Sequence, residues 1–457
     1  MKKIKSHCFR GIIISILVLM VGMYCHAQKP IIQTKYTADP APMVFNDTVF
    51  LYTGHDEDDA FGFKMHNWLL YTSTDMVNWT DHGVVASLKD FNWVTDDNGA
   101  WAAHCIHRNG KFYLYCPIPN GMGIGVLISD SPYGPFKDPL EKPLIQNSIH
   151  DIDPAVFIDD EGQAYMYWGN PKVYYVRLNE DMISYSGDII QEPSTPKNYQ
   201  EGPWVWKRND HYYLAYASTC CPEGIGYAMS NSPTGPWEYK GMIVDASELT
   251  RGNHPGIIEY KGKWYCFGHS YDLLKLTTSR FYERRSVMLD EMVYNPDGTI
   301  QNRHYWSVDG PEQVGTLDPF KRIEAETMAW SEGVKTRFET EWEGDFEWDK
   351  GKKIADRMFV TSIHNGDYIM VKGVNFSKEA KSVEVSVASL YGGKIEIRID
   401  KIDGPIIATV DVNTSSEGGI WSTVAAPVNK NIKGVHDVYF VFRGEKDLFN
   451  FDWWKFN

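Results

Sequence analysis

The stretch YQEGPWVWKRNDHYYLAYAST, Tyr199 to Thr219, sets the reading of the chain. An acidic residue, Glu201, precedes Gly202 and Pro203. An apolar run follows, then a polar turn (Lys207 to Asp210) and an aromatic strand (Tyr212 to Tyr216). Pro203 can open a strand but cannot donate to a central ladder, so Glu201 belongs where a strand begins at a rim. By itself this is a hairpin with a carboxylate at its mouth. The layout recurs, however. Phe50-Leu51-Tyr52, Tyr113-Leu114-Tyr115, Tyr165-Met166-Tyr167, Tyr213-Leu214-Ala215 and Tyr265-Cys266-Phe267 each follow a polar turn. Their spacing of roughly 50 residues is the length of one four-stranded propeller blade. A further echo is SDSPYGPF from Ser129, which returns as SNSPTGPW from Ser230. Long helical periodicity is missing, so the class is all-β, and a closed five-bladed β-propeller fits this period better than a solenoid.

Eleven or twelve residues before each aromatic strand stand Asp39, Trp101, Asp153, Glu201 and His254, and Pro40, Pro154, Pro203 and Pro255 lie just after four of them. The innermost strands of a propeller begin around one channel, so these five side chains converge at one mouth. The second strand of each blade returns to that face and brings His55, Trp168, Asn170, Cys220 and His269 nearby. Three carboxylates in one pocket are costly unless they are used or paired, which points to catalysis. Trp101 and Trp168 are the expected apolar wall of the pocket.

Aromatic residues make up 14 % of the 457, with 16 Trp and 27 Tyr, suiting β structure and surfaces that stack on flat apolar ligand faces. Lys2, Lys3, Lys5 and Arg10 precede an apolar run from Gly11 to Tyr24, and Cys25-His26-Ala27 is a cleavage site for a signal peptide over 1–27. A lipoprotein anchor at Cys25 is disfavoured by the bulky Tyr24. The apolar run is short of the roughly 20 residues of a membrane span, and no later segment replaces it. With the four basic residues gone, the formal charge moves from -15 to about -19, which excludes a nucleic-acid partner and fits a neutral substrate. Five cysteines remain, in no zinc-binding pattern. Adjacent Cys220 and Cys221 are too close for an unstrained mutual bridge and are expected as small buried residues.

The runs YTADPAPM, HDIDPAVFIDDEG, YQEGPW and RGNHPGIIEYKGKWY resemble glycoside hydrolase family 43, over Ile31 to Gly310. The resemblance implies a five-bladed propeller and a secreted, inverting exo-glycosidase. Its substrates would be terminal β-D-xylosyl or α-L-arabinofuranosyl residues of plant hemicellulose or its oligosaccharides, and the chemistry would need no cofactor. It also implies Asp39 as general base, Asp153 as the group that orients the acid and tunes its pKa, and Glu201 as general acid. Arg285, in ERRSVML, matches the family's substrate-binding arginine, with His55 and His254 beside the sugar. His269 matches a histidine that holds a central ion or water cluster, with His254 competing for that place. The rival readings are a lectin-like propeller, an endo-arabinanase, an adhesive surface protein and a fructosidase. The last would show Arg-Asp-Pro and Glu-Cys-Pro, whereas Ile152 precedes Asp153 and Gly202 follows Glu201.

Gly-Pro and Asp-Pro pairs between Asp309 and Lys321 mark a boundary. The chain thus divides into a propeller over 28–310, a linker over 311–321 and a second domain over 322–457. In that domain Val383, Val385 and Val387, then Ile395, Ile397 and Ile399, then Val438, Phe440 and Phe442 alternate with other residues, as half-buried strands of a β-sandwich do. RIEAETM, HNGDYI and LFNFDWWKFN resemble family 6 carbohydrate-binding modules, which are jelly-roll sandwiches. The resemblance implies a structural calcium on Glu324, Glu326 and Asp452, whose oxygen ligands suit that hard cation. It also places sugar binding on Asn450 and Trp421, with Phe359 near the expected partner position. Glu341 to Lys353, aromatic among acids, is a loop.

Overall fold

The computed structural model describes residues 30–279, 283–340, 353–389, 391–414, 420–445 and 447–457. The expected signal peptide with Cys25, and all but the end of the loop from Glu341, lie outside the described residues.

The first part of the chain holds five antiparallel sheets among the described residues. Their first strands are Tyr36–Phe45, His104–Arg108, Ala155–Ile158, Tyr199–Arg208 and Gly256–Tyr260. Each touches the next in sequence, and the fifth returns to the first, so they ring one axis. The ring is sewn shut by the start of the chain. The Ile31 N–H donates to the Val287 carbonyl at 3.0 Å and the Thr37 N–H to the Arg285 carbonyl at 2.9 Å.

The repeat that sequence shows is the inner hairpin of each sheet. Its turns hold Asn46, Asn109, Asn209 and Lys261 at positive φ, the backbone that tight hairpins require. The second strands are buried on both faces because each sheet packs between two others. Thr48–Asp56 and Ala164–Trp168 therefore read as near-continuous apolar runs rather than alternations.

The second part is a sandwich of two sheets. One runs in the order Lys335–Thr340, Lys353–Thr361, Phe449–Phe456, Ser382–Ser389, Trp421–Pro427. The other runs Trp330–Glu332, Tyr368–Phe376, Gly434–Arg443, Gly393–Ile399, Ile406–Val412. Val383, Val385, Ile395, Ile397, Val438 and Phe440 fill the space between them, as their alternation requires. The two parts also meet along a seam. Thr327–Met328 pairs with Trp79–Ser87 and extends the first sheet of the ring. Asp81, buried at this seam, accepts hydrogen bonds from Lys35, from Thr336 of the sandwich and from the Gly83 N–H. The Phe338 ring lies 2.3 Å from where a Cβ on Gly83 would stand, so glycine there lets the sandwich dock. Among the described residues no helix is long and apolar enough to cross a membrane.

Candidate active site

Asp39, Asp153 and His254 sit at the starts of first strands and line one axial cavity with Gly202 and the prolines Pro40, Pro154, Pro203 and Pro255. Asp39 (φ 51) and Asp153 (φ 60) occupy the left-handed region immediately before a proline, a conformation worth roughly 1–3 kcal/mol of strain each unless the surroundings impose it. In the fourth sheet Gly202 takes that place (φ 62), which explains why Glu201 stands one residue further from its proline than the two aspartates. Bulges at Ala38–Ala41 and Glu201–Trp204 break the ladders here and re-aim both acids.

His254 is the hub. Its Nδ1 lies 3.8 Å from Asp39, and its Nε2 lies 3.8 Å from Asp153 and 3.5 Å from Glu201. Burial alone would push His254 down, but Asp153, Asp39 and Glu201 outweigh it and raise its pKa to about 10. Oxygens of Asp153 and Glu201 lie within 4.8 Å of each other and of His254. Two buried carboxylates so close do not both ionise cheaply, so the pair keeps a proton. Burial, with Glu201 and Asp39 nearby, lifts Asp153 to about 8 against the pull of His254. A general acid beside a second carboxylate would be the raised member, yet Glu201 is not. Burial does push it up, but hydrogen bonds from His254 and Asn170 outweigh that and hold it below its ordinary value in the free protein.

Arg285 is buried. It donates from Nη1 to Asp39 at 2.9 Å and from Nε and Nη2 to Asp56, each at 2.9 Å. Burial raises Asp39, with Arg285 and His254 pulling the other way. Asp56 has no catalytic look in sequence, being one of four acids in HDEDD. Phe63 was missed as well, since it lies in a polar loop; Arg285 sits 4.9 Å over its ring and Arg251 5.3 Å. A third omission is Glu223. It is buried, accepts the Asn253 N–H at 3.1 Å, and is raised to about 7 by burial and by Glu201.

Of the other expected residues, Trp101 is half-buried, packed against the core, and its indole N–H has no protein partner. His55 is buried against Asn67 and Glu57, next to Asp56. Trp168 does not line the pocket. Its side chain is fully buried, donates to Asp151 at 2.8 Å and stacks on Tyr174, because the second strand of its sheet faces neighbours on both sides. His269 is fully buried, neutral through burial and the nearby Arg285, and engaged at both nitrogens. Nδ1 accepts the Asp39 N–H at 3.4 Å and Nε2 meets the Arg251 carbonyl at 2.8 Å, so it has no free lone pair for an ion. The expectation for Cys220 and Cys221 is also overturned. They are exposed and joined to each other in a disulfide.

In the sandwich, Trp421 and Asn450 both stand opposite Ala388, from strands on either side of it, and so share a sheet face. Trp421 packs edge-on to buried Phe359 and under Arg357, and donates to Glu339 at 3.2 Å. Asn450 accepts from Thr361 at 2.8 Å. Glu326 and Asp452 are buried, each with one oxygen lacking a hydrogen bond, whereas Glu324 is forked by Arg322.

Comparison with known proteins places the chain in a family. The family described as glycosyl hydrolases family 43 matches residues 27–300, and carbohydrate binding module (family 6) matches 324–457. An arabinoxylan arabinofuranohydrolase of Bacillus subtilis is 32 % identical, covering 94 % of this chain and 92 % of its own. A xylosidase/arabinosidase of Bacteroides ovatus is 31 % identical over 58 % of this chain and 94 % of its own. The crystal structure of a family 43 arabinoxylan arabinofuranohydrolase from Bacillus subtilis, in complex with cellotetraose, superposes with a TM-score of 0.79 at 30 % identity, covering 95 % of this chain and 98 % of that one. The chain is a glycoside hydrolase and belongs to glycosyl hydrolases family 43, with a family 6 carbohydrate-binding module behind its catalytic ring.

Proposed function

We propose that this protein is a secreted exo-glycosidase that removes terminal α-L-arabinofuranosyl or β-D-xylosyl residues from hemicellulose, with inversion at the anomeric carbon. The carrying observation is the placement of Asp39 and Glu201 on opposite nitrogens of His254 at one cavity mouth. Similarity to arabinoxylan arabinofuranohydrolases across both domains favours the arabinofuranosyl group.

Glu201 gives its proton to the glycosidic oxygen as the bond from that oxygen to the anomeric carbon breaks. Asp39 takes a proton from the water that attacks the same carbon from the other side. An inverting pair stands about 6.5–9.5 Å apart to admit that water, and two acids separated by an imidazole ring suit this range. Asp153 supplies the proton that the pair retains, since binding a sugar displaces solvent and disfavours the ionised form of Glu201. Arg285 holds Asp39 in place and offers the sugar a charged donor. Trp101 and Phe63 give it apolar walls.

The buried oxygens of Glu326 and Asp452 that lack a hydrogen bond fit a calcium ion, which would take over from Arg322, 3.6 Å from Asp452. Glu324 joins them only by leaving its Arg322 fork. When bound, the ion would tie the start of the module to its last strand.

Hydrolysis of nitrophenyl α-L-arabinofuranoside and β-D-xyloside tests the reading, with proton NMR of the first-formed sugar. No turnover of either sinks the assignment, and a product that keeps the substrate's anomeric configuration sinks inversion alone.

A further inference from the structure

The exposed Cys220–Cys221 disulfide lies where chemistry, not packing, gives it a use. It follows the strand His211–Ser218, in which Ala217 pairs directly with Glu201. The Thr219 N–H donates to the Asn198 carbonyl at 2.8 Å, which ties this turn to the start of the strand that carries Glu201. On its inner side, Cys221 Sγ rests 4.0 Å from Glu223. Oxygens of Glu223 and Glu201 lie 3.9 and 3.3 Å from one point, the place of a Cβ on Gly252. The disulfide is therefore on the Glu201 side of the mouth. Beside Glu201 the mouth is polar: Asn170 donates to Glu201, and Gln200 donates to Asn170 at 3.0 Å. Two sulfurs closed into one small ring make a rigid, polarisable, apolar surface with no hydrogen-bonding demand.

We propose that the Cys220–Cys221 disulfide is the contact surface for the sugar on the leaving-group side of the scissile bond, a pyranose ring of the xylan backbone. This rests on the role of Glu201 as acid, because the group that protonates the leaving oxygen stands beside the leaving sugar. A C–H face of the pyranose packs on the sulfurs while its hydroxyls meet Asn170 and Gln200. Rigidity matters here, since a preformed platform loses little entropy when a flexible chain binds.

Among the described residues this is the sole disulfide, and Cys105, Cys116 and Cys266 are buried thiols, so a phosphine reductant acts on one bond there. The full chain is assayed before and after reduction on two substrates. One is an arabinose-substituted xylo-oligosaccharide; the other is arabinofuranosyl fluoride, whose leaving group has no ring to rest on the sulfurs. Reduction should lower kcat/KM on the oligosaccharide about tenfold more than on the fluoride, chiefly through KM, and reoxidation should restore it. The double variant Cys220→Ala, Cys221→Ala should show the same split without reductant. Equal losses on both substrates, or none, overturn the proposal. If the untreated protein turns over neither substrate, the hydrolase reading itself has failed.

Discussion

His254 decides how the acids behave, because three carboxylates share one imidazole. Asp153 holds the pair's proton up to about 8, while Glu201 alone sits below its ordinary value. In Asp153→Asn the only carboxyl left on Nε2 is the weaker proton holder. The acid form of Glu201 is then lost earlier as pH rises. The basic limb of kcat/KM, which reports the free enzyme, should move to lower pH by roughly one unit or more. An unmoved limb makes Asp153 a substrate ligand and nothing else. Removing the acid or the base outright is more severe. Glu201→Ala and Asp39→Ala should each lower kcat about 10²–10⁴-fold. Circular dichroism melting should show both folded, since Arg285 keeps its fork on Asp56. Full activity in either variant refutes its role.

At the scale of the element, the bulged start of Tyr199–Arg208 is what aims Glu201. Gly202 is left-handed there, and a Cβ on it would lie 2.9 Å from the His254 ring. Gly202→Ala should cost about 1–2 kcal/mol of stability from the backbone alone. It should also displace His254, lowering activity beyond what the stability change explains. Urea unfolding beside kcat measures both, and a variant as stable and active as the parent contradicts the strand geometry. The repeated hairpins were legible because turn and aromatic strand are local patterns. The acids inherited that legibility by preceding them at a constant distance. Trp168 was misread because alternation within one strand does not say that a neighbouring sheet covers its other face.

Across the whole molecule, the sandwich is part of how the catalytic ring is held. Lys335 of the sandwich donates to Asp58 at 2.7 Å, in the loop that carries Phe63 beneath Arg285. That pair is half-exposed and worth about 1 kcal/mol at most, so Lys335→Ala should shift Tm by less than about 3 °C. Ending the chain at Lys321 removes far more: the Thr327–Met328 strand, the Thr336 hydrogen bond to buried Asp81 and the Phe338 contact at Gly83. At about 1 kcal/mol for each lost bond, the catalytic part should melt about 10 °C lower. Calorimetry showing equal Tm for the two lengths would mean that the ring needs no support. Chelation should also lower the melting temperature of the full chain, and no response to chelator would remove calcium from Glu326 and Asp452.

The amino-acid sequence by itself determined the class, the repeat and the three acids, since strand period, turn residues and strand-start prolines act over a few residues. Tertiary structure alone decided the rest. Asp56 finds Arg285 across 229 positions and Asp81 finds Thr336 across 255. Phe63 and the cysteine pair lie in loops, and Glu223 opens the strand after one, so their place follows from which sheets meet. Protonation belongs to the same level. Whether Asp153 or Glu201 keeps the proton depends on the distances of both to one histidine, and no spacing along the chain contains those.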